Sequence, residues 1–202
     1  MGVQTTTSIA QVPSDVVTTT TPARSPSAVQ HVLPQVHTAA QLTITGSVIA
    51  GGPLSQTTIA AVNAAGARTP AQWRRYIAYQ SEVKVGGSLA WRANNPGNLR
   101  DAASKIGSVS GAVGTFAVFA ELDDGRAAQR ALYLDKYGAM SVRDAINKLT
   151  PPSENDTTKY LDELKGAGVD LDKDVKSQID VLMPAVAANE GVIAGTVVTR
   201  TP

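Results

Sequence analysis

The sequence predicts a mainly α, α+β compact domain with a small β element, preceded by a long extended arm. Three observations carry this reading. Charge is partitioned: of 18 basic and 17 acidic residues, Asp15, Arg24 and Arg68 alone precede Trp73. From residue 69 to 190, amphipathic segments recur with recognisable start and stop signals. Among them lies one short aromatic run, Thr115–Ala120, with the alternation of a strand.

Residues 1–68 are rich in Thr, Ala and Val and hold no aromatic side chain. Such a segment lacks the bulk to build a core alone. β-branched residues in Val29–Val36, Leu42–Ile49 and Thr57–Val62 suit extended, edge-pairing structure. The arm either orders on a partner surface or is a low-complexity leader, and composition does not separate the two.

The domain, residues 69–190, opens at Thr69-Pro70-Ala71-Gln72, a capping box with Pro at the first helical position. The helix is expected over 70–81, with Trp73, Ile77 and Gln80 on one stripe. Gly86-Gly87 interrupts regular structure beyond it. After the Thr115–Ala120 strand, Asp123 or Asp124 starts a helix to Tyr137 that groups Ala127, Ala131 and Leu134, and Gly138 closes it. Ser141 opens a short helix to Leu149, which Pro151-Pro152 stops. Asp156 opens the next, to Lys165. The last covers 174–189, bent by Pro184. Residues 191–202 form an extended tail in the style of the arm.

Composition narrows function. Net charge is +1 and charged residues are 17% of the chain, so no nucleic-acid specificity is expected. There is no cysteine, hence no disulfide or thiolate metal site. The N-terminus lacks the basic and apolar regions of a secretory signal, and no apolar window is long enough to span a membrane. No phosphate-loop, dinucleotide or zinc-protease motif is present. His31 and His37 lie six apart without neighbouring acids, so neither metal nor cofactor is expected.

Two turn-rich polar motifs are the most informative features. The first is Asn94-Asn95-Pro96-Gly97-Asn98-Leu99-Arg100. The second is Pro151-Pro152-Ser153-Glu154-Asn155-Asp156-Thr157. Pro96 fixes φ, Gly97 admits unusual backbone, and three amides can bond backbone or ligand. In the second motif, Pro151 and Pro152 stop one helix, and Asn155 and Asp156 offer caps for the next.

With the Gly107–Gly114 stretch, Phe116-Ala117-Val118-Phe119 and Asp123-Asp124-Gly125, these motifs make residues 91–175 resemble a phage family of structural, virion-associated proteins with a lysozyme-like domain. The resemblance covers somewhat under half the chain. It implies distant kinship with bacterial glucosaminidases and lytic transglycosylases, which cut peptidoglycan glycan strands. In such enzymes a catalytic Glu ends a helix, and an Asn-Asn motif follows about a dozen residues later. Glu82 takes that place, twelve positions before Asn94. It is followed by Val83-Lys84-Val85, where the enzymes have Ser/Thr-Gly-Trp.

Glycan cleavage needs a carboxylic acid to protonate the leaving oxygen, and an N-acetyl sugar can supply its own nucleophile. Glu82 is the first candidate acid and Glu121, beside Asp123-Asp124, the second. Asn94, Asn95 and Asn98 either bind N-acetyl groups or hold their own loop as Asx-turns. Trp91 either stacks on a sugar or packs in the core.

The resemblance implies a virion component, in the tail or inside the particle, that opens peptidoglycan as the genome enters. The alternative is an assembly or attachment protein that keeps only the fold, which the altered Glu82 context favours. A third reading is a part or cargo of a phage-like contractile injection system. Expected partners are other virion proteins, reached through the arm in an oligomeric assembly, and peptidoglycan.

Overall fold

A computed structural model describes residues 39–151 and 156–202. The Val29–Val36 segment, His31, His37, and Pro152 to Asn155 of the second motif lie outside the described residues. The fold is 42% helical and 18% strand, hence mixed α+β and not mainly α. Among the described residues no helix is long and apolar enough to cross a membrane.

In chain order the elements are β1 (Thr45–Val48), α1 (Gln56–Ala67), β2 (Arg75–Ala78), β3 (Glu82–Val85), α2 (Leu89–Arg92), β4 (Gly107–Gly111) and β5 (Gly114–Val118). Then come α3 (Leu122–Tyr137), α4 (Val142–Leu149), α5 (Thr157–Gly166), α6 (Val175–Asn189) and β6 (Thr196–Thr199). Among the described residues, one sheet has the order β1-β2-β3-β6, with β1 and β2 parallel and the other pairs antiparallel. β4 and β5 form a separate hairpin.

The period of two sorts the sheet into two faces. Tyr76, Ala78, Val83 and Val85 pack under α1, against Val62 and Ala65. Ile77 and Tyr79 face the other way, towards Ala93, Val109 and Val118. Lys84 pairs with Ile77 and Glu82 is two residues away, so both charged side chains of β3 share this second face. The helices α3 to α6 enclose a separate core around Ile146, Leu164, Val175, Leu182 and Val186.

Several sequence expectations fail for stated reasons. The 70–81 segment is a single 3-10 turn, Ala71–Trp73, followed by β2. Tyr76, Ile77, Ala78 and Tyr79 are all buried because β2 lies between two layers, which a one-sided helix cannot satisfy. Consequently Glu82 begins a strand and does not end a helix. The extended reading of Thr57–Val62 fails too: these residues are in α1. Ser55 accepts from the Thr58 N–H at 3.3 Å, and the alanines that follow favour helix. Residues 39–68, the described part of the expected arm, thus include β1 and α1, which pack with β2 and β3.

The tail is extended as expected, and it is built in. β6 pairs with β3, and the Arg200 guanidinium binds the carbonyls of Ala50, Tyr79, Gly51, Gly52 and Pro53. Ser141, Asp156 and Asp174 cap α4, α5 and α6 at the expected positions.

Of the stripe expected on α3, Ala127 and Ala131 are exposed, and Leu134 is half-buried against the helical core. The buried stripe is Gly125, Gln129 and Tyr133. The reason is the first motif, whose backbone lies on the start of α3. A Cβ at Gly125 would overlap the Asn94 carbonyl oxygen, and a Cβ at Gly97 would come within 2.7 Å of the Gln129 amide. Gly125→Ala is expected to lower the unfolding free energy by about 2–4 kcal/mol, read from the urea midpoint. Gly166→Ala, with open space around it, is expected to be neutral or stabilising by up to about 1 kcal/mol.

Candidate functional site

The first motif is a loop that closes on itself and on the hairpin. Asn94 and Asn98 hold positive φ, 54° and 48°, a conformation asparagine tolerates better than most residues. The Asn95 side chain is fully employed: Nδ2 donates to the carbonyls of Leu99 and Ala117, each at 2.9 Å, and Oδ1 accepts from the Leu99 N–H at 2.8 Å. Asn94 Nδ2 donates to the carbonyls of Phe119 and Ala120. Both amides are buried and serve the loop. Pro96 is buried beside them and Gly97 gives Gln129 room.

Glu82 and Glu121, the sequence-derived acids, flank Lys84. The Lys84 ammonium lies 3.9 Å from Glu82, donates to Asn94 Oδ1 at 2.5 Å, and sits over the Trp91 ring at 5.1 Å. Burial lowers the Lys84 pKa, while Glu82 and Glu121 oppose that shift. Trp91 therefore packs beside a cation, on α2, whose start Ser88 caps. Glu121 precedes α3 and is exposed; its N–H donates to Asp124. This cluster ties β3 to the loop.

The third amide, Asn98, points elsewhere. Its Nδ2 donates to Glu190 Oε2 at 2.6 Å. The other carboxylate oxygen of Glu190 accepts from the Tyr160 hydroxyl at 3.2 Å. Glu190 follows the last turn of α6, and Gly191, at φ 66°, ends the helix there. Asn98 comes from the first motif. Tyr160 lies on α5, the helix that Asp156 of the second motif caps. The first motif and the helix that Asp156 caps thus meet through one carboxylate.

That carboxylate lines a cavity of about 700 Å³. Its walls include Asn98 and Arg100 from the loop, Phe116 from the hairpin, Tyr133 from α3, and Thr150 just before Pro151. Thr150 is fixed by its carbonyl, which accepts from the Thr157 hydroxyl at 2.5 Å. Burial, then the Glu190 charge, raises the pKa of both Tyr160 and Tyr133 above the usual phenol value. Tyr160 therefore remains a hydrogen-bond donor to the carboxylate at any neutral pH. A neighbouring hollow of about 540 Å³ between α3 and α6 is lined mainly by apolar side chains, and its one acid, Asp180, is exposed and paired with Arg130 at 2.7 Å.

Sequence reasoning does not single out Glu190. A signal is present: Asn189-Glu190-Gly191 places a glutamate at the end of an expected helix. No protein-family model matches this chain, and no curated protein matches it significantly.

The tyrosines give a pH signature. Burial raises Tyr76, Tyr79, Tyr133 and Tyr160 from the ordinary phenol value of 10. Below about pH 10 these groups are neutral whether folded or unfolded, so they add no pH dependence. As pH rises past that value the unfolded chain ionises and the folded one resists, so stability falls. Phenolate absorbance is expected to appear together with loss of circular dichroism above about pH 10. Ionisation of most tyrosines while the fold persists would contradict this packing.

Proposed function

We propose that this protein is a phage virion component with a lysozyme-like domain that cuts peptidoglycan glycan strands as the genome enters. Glu190, not Glu82, is its general acid. One observation carries the reading. A glutamate that ends a helix is held by an amide of the Asn-Asn-Pro-Gly-Asn motif, at the wall of a large polar cavity. This is the relation the family resemblance leads one to seek, with the acid placed after the motif in the chain and not before it.

In this mechanism Tyr160 and Asn98 orient the Glu190 carboxyl towards the glycosidic oxygen. Glu190 protonates that oxygen as the bond breaks, and the sugar's acetamido oxygen covers the anomeric carbon. Glu190, now ionised, takes a proton from the hydroxyl that completes the reaction. Phe116 and Tyr133 offer apolar surface to the sugar rings. Residues 1–38 attach the domain to other virion proteins.

A second reading, an assembly protein that retains the fold without chemistry, is favoured by the internal use of Asn94 and Asn95. Muropeptide release from purified peptidoglycan by the full chain separates the two. Wild type and Glu82→Gln are expected to release products. Glu190→Gln is expected to lose at least about 100-fold in rate with its melting temperature retained. Activity that survives Glu190→Gln but not Glu82→Gln would return the acid role to Glu82. No products from folded wild type would establish the assembly reading.

A further inference from the structure

A second site lies on the sheet, lined by none of the residues around the Glu190 cavity. β1, β2, α2 and β4 surround a small hollow of about 210 Å³. Two arginines are among its lining residues, Arg75 from the start of β2 and Arg92 from the end of α2. Ser47 and Ser110 stand at its walls.

Arg92 is 5% exposed. Its Nη1 donates to the carbonyls of Gly86 and Gly87, at 3.0 and 2.5 Å. Its Nε is buried and has no partner. Among the described residues no carboxylate pairs with either arginine. Burial and then the Arg75 charge push the Arg92 pKa down to about 10. A buried cation with a like charge as neighbour and an orphaned donor costs stability unless an anion meets it. Among the described residues, carbonyl contacts engage Nη1 alone, so the rest of the buried guanidinium has no protein acceptor.

We propose that this hollow binds a small oxyanion group, gripped between the Arg75 and Arg92 guanidiniums with Ser47 and Ser110 as further donors. Two guanidiniums with no protein carboxylate suit a phosphate or carboxylate oxygen, and charge-assisted bonds to such oxygens are the strong ones. The inference does not rest on the peptidoglycan reading.

The test tracks the Arg92 Nε–H resonance of the full chain by NMR. Sodium phosphate is titrated in, ionic strength being held constant with sodium chloride, and sodium acetate is titrated in parallel. Wild type is expected to show a saturable shift of that resonance with phosphate, with acetate, or with both. Response to phosphate alone assigns the hollow to phosphate groups, response to acetate alone assigns it to carboxylates, and response to both shows a general oxyanion site. Arg75→Gln, on an exposed strand end, is expected to weaken binding about tenfold or more while the melting temperature holds. Arg75→Lys is expected to recover part of the loss. A shift that fails to saturate with either anion, or unchanged affinity in folded Arg75→Gln, would overturn the proposal.

Discussion

The Asn95 side chain is the contact on which the rest of the structure depends. Three hydrogen bonds from one buried amide close the loop onto Leu99 and fasten it to β5 through Ala117. Each partner is a backbone group out of reach of water, so removing the amide would orphan several at once, at about 1–3 kcal/mol for each. Asn94 extends the seam to Phe119 and Ala120, and the Phe119 N–H returns to the Ala93 carbonyl at 3.0 Å. The loop so fixed brings the Asn94 carbonyl against the start of α3. That explains why Gly125 stands where the helix crosses it. One amide therefore sets the positions of the hairpin, the start of α3 and the sheet face that carries Lys84.

The same loop delivers Asn98 to Glu190, but Glu190 needs its own anchorage, because helix ends fray. It is held from the far side. Three residues on, the Ile193 N–H donates to the Ser88 hydroxyl and its carbonyl accepts from the Ser88 N–H, at 3.0 and 2.8 Å. β6 then joins the sheet, and Arg200 locks the strand end with a set of carbonyl contacts. The helical half and the sheet half are thereby joined on either side of the carboxylate. A tail that looks dispensable in sequence fixes the position of the candidate acid.

How much is legible in the sequence depends on the range of the interactions. α4, α5 and α6 are legible because Ser141, Asp156 and Asp174 cap them locally. β5 is legible from its aromatic alternation. β2 reads wrongly as helix because its burial on both faces arises from α1 and the hairpin, distant elements that erase the alternation. α1 reads wrongly as extended because β-branched residues near its start outweigh the Ser55 cap and the alanines. The two motifs stand out locally, but the residue that joins the first motif to α5 does not. Glu190 lies 92 positions from Asn98 and 30 from Tyr160, and no local pattern records such a pairing. The resemblance places the helix-ending Glu upstream of the motif, and the chain supplies one downstream.

Choosing between the acids is then a question of neighbours. Glu82 and Lys84 alternate onto one face of β3, and the ammonium lies 3.9 Å from the carboxylate. An acid must also reach the substrate, and the Lys84 beside Glu82 is engaged with Asn94 of the loop and with Trp91. Glu190 is held by Asn98 and Tyr160, and all three residues line one cavity. Lys84 serves a different end, since its charge spans Glu82, Asn94 and the Trp91 ring and so seats the loop on β3. The strand carboxylate belongs to the scaffold that shapes the motif. The helix-end carboxylate faces the space in which a substrate would lie.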